Sequence, residues 1–320
     1  MTIAVTELEV IEAGLRWIED GYSVALATVI ETWGSAPRKA GSQLLIRADG
    51  VFLGSVSGGC VEGAVIRQTM ELLTGEKHGQ RLSFGVSTED AWSVGLSCGG
   101  EISIWVERAQ SSVLQELIVS IRSRIQVGLY LPMKDETMTV VQQWSSTPTF
   151  TSLIQSSGHA LCLYTPSPRI FIIGAVHIAQ ALVPMVQGVG YEVIVIDPRS
   201  IFLESERWFH VKRVSDFPEE YLPTQNMSSH DAVVALSHNP TFDDEALLLA
   251  LEADAFYVGA LGSRKNHAKR CGRLQNRGLS TTQVSRISGP IGLNIGAQTP
   301  SEIAVSILAE LIQAHRTRTT

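Results

Sequence analysis

Two cysteines stand beside paired glycines, in Gly58-Gly59-Cys60 and in Cys98-Gly99-Gly100. Cys60 opens a segment with helical spacing. Helix N-termini stabilise negative charge and can lower a thiol pKa by about one unit or more. A thiolate there can ligate a soft metal or take part in sulfur transfer. The alternative reading of either cysteine is a small buried residue. Glu62 reads as a proton acceptor or as an acid that complements the helix dipole. Trp33-Gly-Ser-Ala-Pro-Arg38-Lys39 carries two positive charges and suits a phosphate or another oxyanion, with Trp33 available to stack on a ring. Taken alone, the same segment is a solvated basic turn. Cys162 lies in an apolar strand and Cys271 on a surface-like helix, and neither has a supporting environment. The four cysteines form no C-x-x-C pair, which disfavours a disulfide framework and a structural zinc site.

The second half carries a glycine-containing turn, Ile170-Phe-Ile-Ile-Gly-Ala-Val-His-Ile-Ala179, between a strand and a helix. In the dinucleotide fingerprint a first glycine makes the turn and a second lets the backbone approach the pyrophosphate. A small third residue then packs helix on strand, and an acid about twenty residues on takes the ribose hydroxyls. Gly174, Ala179 and Asp197 fit, whereas Val176 fills the second glycine position with a branched side chain. His177, in the first helical turn, is either a phosphate donor or a half-packed histidine. Gly259-Ala-Leu-Gly262-Ser-Arg264 follows an apolar strand, so its N–H groups and the Arg264 guanidinium can hold an anion. It reads equally as a turn with a surface arginine. His238 and Asp243 flank another strand-end loop, where they are site residues or ordinary loop chemistry.

The elements that must position these groups follow from periodicity and punctuation. A helix is expected over Thr6–Asp20. Strands are expected at Ser23–Ile30, Ser42–Arg47 and Val51–Val56, with a loop from Glu31 to Gly41. Val61, Val65, Thr69 and Leu72 share one helical face. Strands at Arg81–Val86 and Glu101–Val106 and a helix near Val113–Ser123 follow; 126–156 is strand-like without a readable register. Thr165-Pro-Ser-Pro168 reads as a linker between domains at 1–165 and 169–320. Beyond it, short apolar runs (Arg169–Ile173, Glu192–Ile196, Ala232–Leu236, Ala255–Val258) alternate with the helices His177–Gly188, Asp244–Glu252 and Ser301–Ala314. The fold class is α/β: an N-terminal α+β domain followed by a Rossmann-like parallel-sheet domain.

The chain has 320 residues, enough for two domains, and its 44% hydrophobic content supplies their cores. Twenty-five basic against 32 acidic residues give a net charge of −7, which disfavours a nucleic-acid partner. The N-terminus has no basic residue before Arg16 and does not read as a secretory signal. No uncharged apolar run approaches the ~18 residues that span a bilayer. A soluble, cytoplasmic protein without a membrane partner is the expectation.

Together these stretches resemble the XdhC/CoxI family, accessory proteins of molybdenum hydroxylases. In the first half the likeness rests on Thr32-Trp-Gly-Ser-Ala-Pro37, Gly54-Ser-Val-Ser-Gly-Gly-Cys-Val-Glu-Gly63, Phe84-Gly-Val and Cys98-Gly-Gly-Glu101. In the second it rests on Val195-Ile-Asp-Pro-Arg199, Phe256–Arg264 and Pro290–Ile303. The resemblance implies a chaperone that binds molybdopterin as molybdenum cofactor and protects it. Such a protein assists sulfuration of the cofactor by a cysteine desulfurase and delivers it to a xanthine dehydrogenase-type enzyme. It also places the thiol role on Cys60 first, as a contact to molybdenum, and on Cys98 second. The pterin phosphate falls to the basic loop of Arg38 and Lys39. Where the family reads G-A-G-H this chain has Gly174-Ala-Val-His177, and amides stand at Asn239 and Asn294 where acids are common. These departures weigh against a bound dinucleotide. A homodimer with the ligand in an interdomain cleft is open to such a chain.

Two other classes compete with a non-catalytic carrier. An NAD(P)-dependent oxidoreductase would use the second domain but has no convincing hydride-transfer site. Tyr130-Leu-Pro-Met-Lys134 has a Y-x-x-x-K spacing yet precedes the glycine turn. A thiol or nucleotide sensor would use Cys60 oxidation or ligand binding at that turn.

Overall fold

Alternating small and branched apolar residues in the first half make strands that are covered on both faces. A computed structural model describes residues 7–34, 38–85, 100–133, 139–141, 153–156, 158–204, 208 and 210–317. Cys98 and the segment Ser35–Pro37 lie outside these residues. The chain divides into two units, Val5–Pro166 and Ser167–Thr320.

In the first unit, helix α1 (Glu7–Glu19) precedes β1 (Val24–Gly34), β2 (Gln43–Arg47) and β3 (Phe52–Gly54). Helix α2 (Glu62–Thr74) follows, then β4 (Gly79–Phe84), β5 (Gly100–Arg108) and α3 (Ser111–Arg122). The strands form an antiparallel sheet in the order β3-β2-β1-β5-β4. One face carries Ala25, Ala27, Val29, Leu44 and Ile46 against Val61, Val65 and Leu72 of the α2 region. The other carries Val24, Leu26, Leu45 and Trp105 against Val10 and Ile11 of α1 and Leu114 and Leu117 of α3.

Strand β1 runs on to Gly34, where the sequence suggested a loop from Glu31. Its last residues gain ladder partners in β5, with Thr32 opposite Ile102, Trp33 opposite Glu101 and Gly34 opposite Gly100. A register shift between Val29 and Glu31 re-aims this extension.

The stretch without a readable register contributes β6 (Val127–Leu131), β7 (Thr139–Val141) and β8 (Leu153–Ser156). With β9 (His159–Tyr164) they make a second antiparallel sheet in the order β7-β6-β9-β8. Strand β6 is buried at every residue but Tyr130, so it has no polar alternation to read. Its core is continuous with that of the first sheet. The buried Gln43 bridges the two sheets, donating from Nε2 to the Tyr164 hydroxyl at 2.7 Å.

The second unit contains β10 (Arg169–Ile173), α4 (His177–Gly188), β11 (Glu192–Ile196), β12 (Lys212–Val214), α5 (Pro218–Tyr221) and β13 (Asp231–Ala235). It continues with α6 (Pro240–Glu252), β14 (Tyr257–Ala260), α7 (Arg264–Asn276), α8 (Thr281–Val284), β15 (Ile287–Ser288) and α9 (Pro300–Thr317). All six strands are parallel, in the order β12-β11-β10-β13-β14-β15. This is the doubly wound Rossmann order, whose direction reverses between β10 and β13. The first two strands and α4 match the apolar runs residue for residue. Strands β13 and β14 start one and two residues away from the runs that suggested them. Among the described residues no helix is long and apolar enough to cross a membrane.

Candidate functional site

Glu62 is the centre of the glycine–cysteine turn. It is the first residue of α2 and only 7% exposed. Oε1 accepts from the Ser55 hydroxyl (2.7 Å) and from the Val56 and Ser57 N–H groups (3.2 and 2.9 Å). Oε2 accepts from the Ser57 hydroxyl and from the Gly59 N–H, the latter at 2.9 Å. The two serines complete the cage. Ser55 accepts from the Gly58 N–H and Ser57 from the Val61 N–H, both at 2.9 Å. Burial pushes the Glu62 carboxyl up, but its Ser57 and Ser55 donors outweigh that and bring it from 4.5 down to about 2. A carboxylate so engaged is a fixed anion near neutral pH, which corrects the proton-acceptor reading of Glu62.

Wrapping a chain around one carboxylate requires Gly58 and Gly59 at φ of +78° and +115°, which L side chains rarely adopt. Cys60 follows directly and is half-buried, its side chain packed against the core under α2. The thiol is thus neither sealed in the interior nor fully exposed.

Arg38 and Lys39 are exposed. Their neighbour Ala40 packs on the face covered by α1, and Arg38 lies within electrostatic reach of Glu7 on that helix. Cys60 belongs to the opposite face of the same sheet. The basic loop and the thiol are therefore anchored on different sides.

The extension of β1 builds a feature that sequence reasoning missed. Trp33, 77% exposed, borders a groove of about 450 Å³ with Glu31, Arg81, Phe84, Gly85 and Glu101. Arg81 spans it, donating to Ser103 Oγ at 2.6 Å and to Glu31 Oε2 at 3.2 Å. Three stretches far apart in sequence, Thr32–Gly34, Phe84-Gly85 and Gly100-Glu101, meet here because β1, β4 and β5 are neighbours. Among the described residues, no group of three or more His, Cys, Asp or Glu side chains is placed to hold a metal ion.

In the second unit Gly174 has φ +101°, and a Cβ on it would sit 2.7 Å from the Ser237 Cα. The glycine is thus required by close approach of β10 to the end of β13. Val176 packs partly against the core under α4, and His177 is exposed at the start of that helix. Asp197 is fully buried and its carboxylate is already filled. It accepts from the Ala175 N–H at 2.9 Å, from the Arg199 N–H at 3.1 Å and from both arms of the Arg199 guanidinium at 2.8 and 2.7 Å. Burial raises the Asp197 carboxyl, and the Arg199 and Ala175 donors more than reverse it. The ribose role read for Asp197 does not fit this geometry, since a ribose would have to displace Arg199.

Gly262, His238 and Asp243 line one cavity of about 180 Å³ beyond the carboxyl ends of β13 and β14. Arg264 is exposed and does not line it. The lining bases are Lys269, Arg270 and Arg273 of α7, which sequence reasoning left as a surface face. Their signal was present: 266, 269, 270 and 273 follow helical spacing and share one face.

An antiparallel α+β unit followed by a six-stranded parallel sheet in the Rossmann order defines a two-part α/β protein. Residues 17–85 match the model of the XdhC and CoxI family, and residues 170–311 match that of the XdhC Rossmann domain. The chain belongs to the XdhC/CoxI family. It is 28% identical over 322 residues to a Bacillus subtilis (strain 168) protein named as a probable xanthine dehydrogenase subunit, covering 93% of this chain and 95% of that protein. It is 27% identical over 293 residues to the Escherichia coli (strain K12) molybdenum cofactor insertion chaperone PaoD, covering 91% and 83%. A crystal structure described as a xanthine dehydrogenase from Bacillus halodurans superposes with a TM-score of 0.76 at 27% identity, covering 96% of each chain.

Proposed function

We propose that this protein is a molybdenum cofactor chaperone that delivers its cargo to a xanthine dehydrogenase-type enzyme. The observation that carries the reading is the likeness to the Escherichia coli insertion chaperone along nearly the whole chain. The chemistry of the first unit agrees with it. Cys60 offers a half-exposed soft sulfur, of the kind that molybdenum and dithiolene sulfur accept. The Glu62 cage holds the preceding backbone still, so the thiol is presented from a fixed turn. Trp33 gives an exposed ring at a groove where Arg81 is already paired with Glu31, so what the groove offers a pterin plane is stacking.

Sulfuration with help from a cysteine desulfurase, and a homodimeric assembly, belong to the same proposal. An NAD(P)-dependent role is disfavoured by the filled carboxylate of Asp197 and by Val176 in place of the second glycine. Expression in cells that make molybdopterin, followed by acid release and pterin fluorescence and by molybdenum analysis, tests the reading. Pterin and molybdenum should copurify with the chain and fall when Cys60→Ala is used. Protein that carries no pterin and takes none up would end the proposal. Full pterin retention by Cys60→Ala would remove the thiol from it.

A further inference from the structure

The cavity at the carboxyl ends of β13 and β14 holds a buried cation whose hydrogen-bonding capacity is not met. The Arg270 side chain is 7% exposed. Only Nη2 has a hydrogen-bond acceptor, the Leu261 carbonyl at 3.0 Å, while Nε and Nη1 have none. Its acidic neighbours stop short: Asp243 Oδ2 and Asp244 Oδ1 each lie 3.7 Å away. Asp244 is taken by Arg273, which donates to its two oxygens at 2.6 and 3.0 Å. Asp243 is 1% exposed and uses Oδ1 to accept from the Ser237 hydroxyl at 2.7 Å, leaving Oδ2 without a donor.

Buried donors and acceptors left unpaired cost about 1–3 kcal/mol each, so their coincidence in one cavity marks a place where a ligand completes the set. Lys269 adds positive charge at the same wall, where Arg273 is already paired with Asp244. The orphaned groups also specify the ligand. Arg270 asks for oxygen acceptors, and Asp243 Oδ2 asks for a proton to share. A volume of about 180 Å³ gives room for one small group.

We infer that this cavity is a binding site for a phosphate monoester or free phosphate, held by Arg270 and Lys269 with one proton shared between a phosphate oxygen and Asp243. Hydrogenphosphate, and a phosphate monoester in the singly protonated form it holds below its second pKa of about 6, bring both the acceptors and the proton, whereas sulfate near neutral pH brings only acceptors and meets the Asp243 carboxylate unshielded. The cavity borders the glycine turn, since Gly174 abuts the Ser237 whose hydroxyl donates to Asp243, but Gly174 does not line it. The site does not depend on the cargo reading, and cells lacking molybdopterin suffice to test it.

Full-length protein from such cells is titrated calorimetrically with inorganic phosphate, sulfate, adenosine 5′-monophosphate and adenosine. Saturable binding of phosphate, at least about tenfold tighter than of sulfate, is expected, about 1.4 kcal/mol. Binding of the nucleotide without adenosine binding assigns a nucleotide phosphate as the source; phosphate binding alone assigns the free ion. Arg270→Gln removes a charge-assisted hydrogen bond and should weaken phosphate binding by about tenfold or more. Lys269→Gln, at an exposed position that does not endanger folding, should weaken it by about threefold. Arg277→Gln removes an equal charge that is instead paired with Glu245, and should leave it unchanged. Absence of saturable phosphate binding overturns the proposal. So does equal loss in Lys269→Gln and Arg277→Gln, which would report only net charge. Should Arg270→Gln fail to accumulate, the Lys269 and Arg277 pair decides alone.

Discussion

Ser57 and Glu62 are joined twice, through the serine's backbone N–H at 2.9 Å and through its hydroxyl. The pair closes the turn in which Gly58 and Gly59 take left-handed conformations and from which Cys60 emerges. Every donor in the cage expects an ionised acceptor. Glu62→Gln turns one of those oxygens into an amide that faces donors, which should cost about 1–3 kcal/mol. The Glu62 carboxyl is held at about 2 against 4.5 unfolded. Its contribution is therefore present above pH 4.5 and is lost as pH falls toward 2. Thermal unfolding should show the largest gap between wild type and variant near pH 7 and a shrinking one below pH 4. A gap independent of pH would refute the ionised cage.

Glu107 gives the opposite dependence. It is buried in β5, its Oε1 has no partner, and burial pushes its carboxyl up from 4.5 to about 8, with the Trp105 indole pulling weakly the other way. A raised folded-state value means that stability is fully present below pH 4.5 and is lost as pH rises toward 8. The loss approaches about 1.4 kcal/mol per pH unit within that window. Glu107→Gln should match wild type near pH 5 and exceed it near pH 8, measured as urea midpoints. Parallel midpoint shifts for both proteins would contradict it.

The buried pair of Arg169 and Asp231 ties the starts of β10 and β13, with bonds of 2.8 and 2.9 Å. Arg169→Met removes the buried guanidinium that faces Asp231, which keeps its Ser228 N–H donor at 2.7 Å, and should destabilise by about 3–5 kcal/mol. Adding Asp231→Asn to that variant should recover part of the loss, because the buried carboxylate no longer lacks its counter-charge from Arg169. Chemical denaturation of the single and double variants checks it, and a double variant less stable than Arg169→Met alone would speak against a charge effect.

Gly174 meets Ser237 where the sheet reverses direction. Gly174→Ala adds a Cβ that would lie 2.7 Å from a backbone atom and holds alanine at φ +101°. A loss of at least about 2 kcal/mol in unfolding free energy is expected. A variant within about 0.5 kcal/mol of wild type, the range of ordinary surface changes, would show that the turn relaxes freely.

Local sequence was sufficient wherever one element determines its own environment. The parallel strands Arg169–Ile173 and Glu192–Ile196 are apolar throughout because both faces are covered, and helix His177–Gly188 lies between them as its length required. Likewise Gly58, Gly59 and Cys60 could be seen as a unit from their adjacency, and Gly174 from its place after a strand. The sheet formed by β6 to β9 escaped because its best-ordered strand is buried almost throughout and so shows no period-two alternation.

Tertiary structure alone decided which charges are free. Glu62, Asp197 and Arg264 were all legible as chemical groups, yet Glu62 and Asp197 are spent on the protein's own backbone and arginines, while Arg264 stays outside the lining of the cavity it seemed to serve. Arg270 is the reverse case, a residue on an apparently polar helix face that packing drives inward with donors unused. Whether a polar group is available depends on how many partners the rest of the chain brings within hydrogen-bond distance. Partners such as Ser55 and Glu62, or Ala175 and Asp197, are set by folding distances that spacing along the chain does not encode.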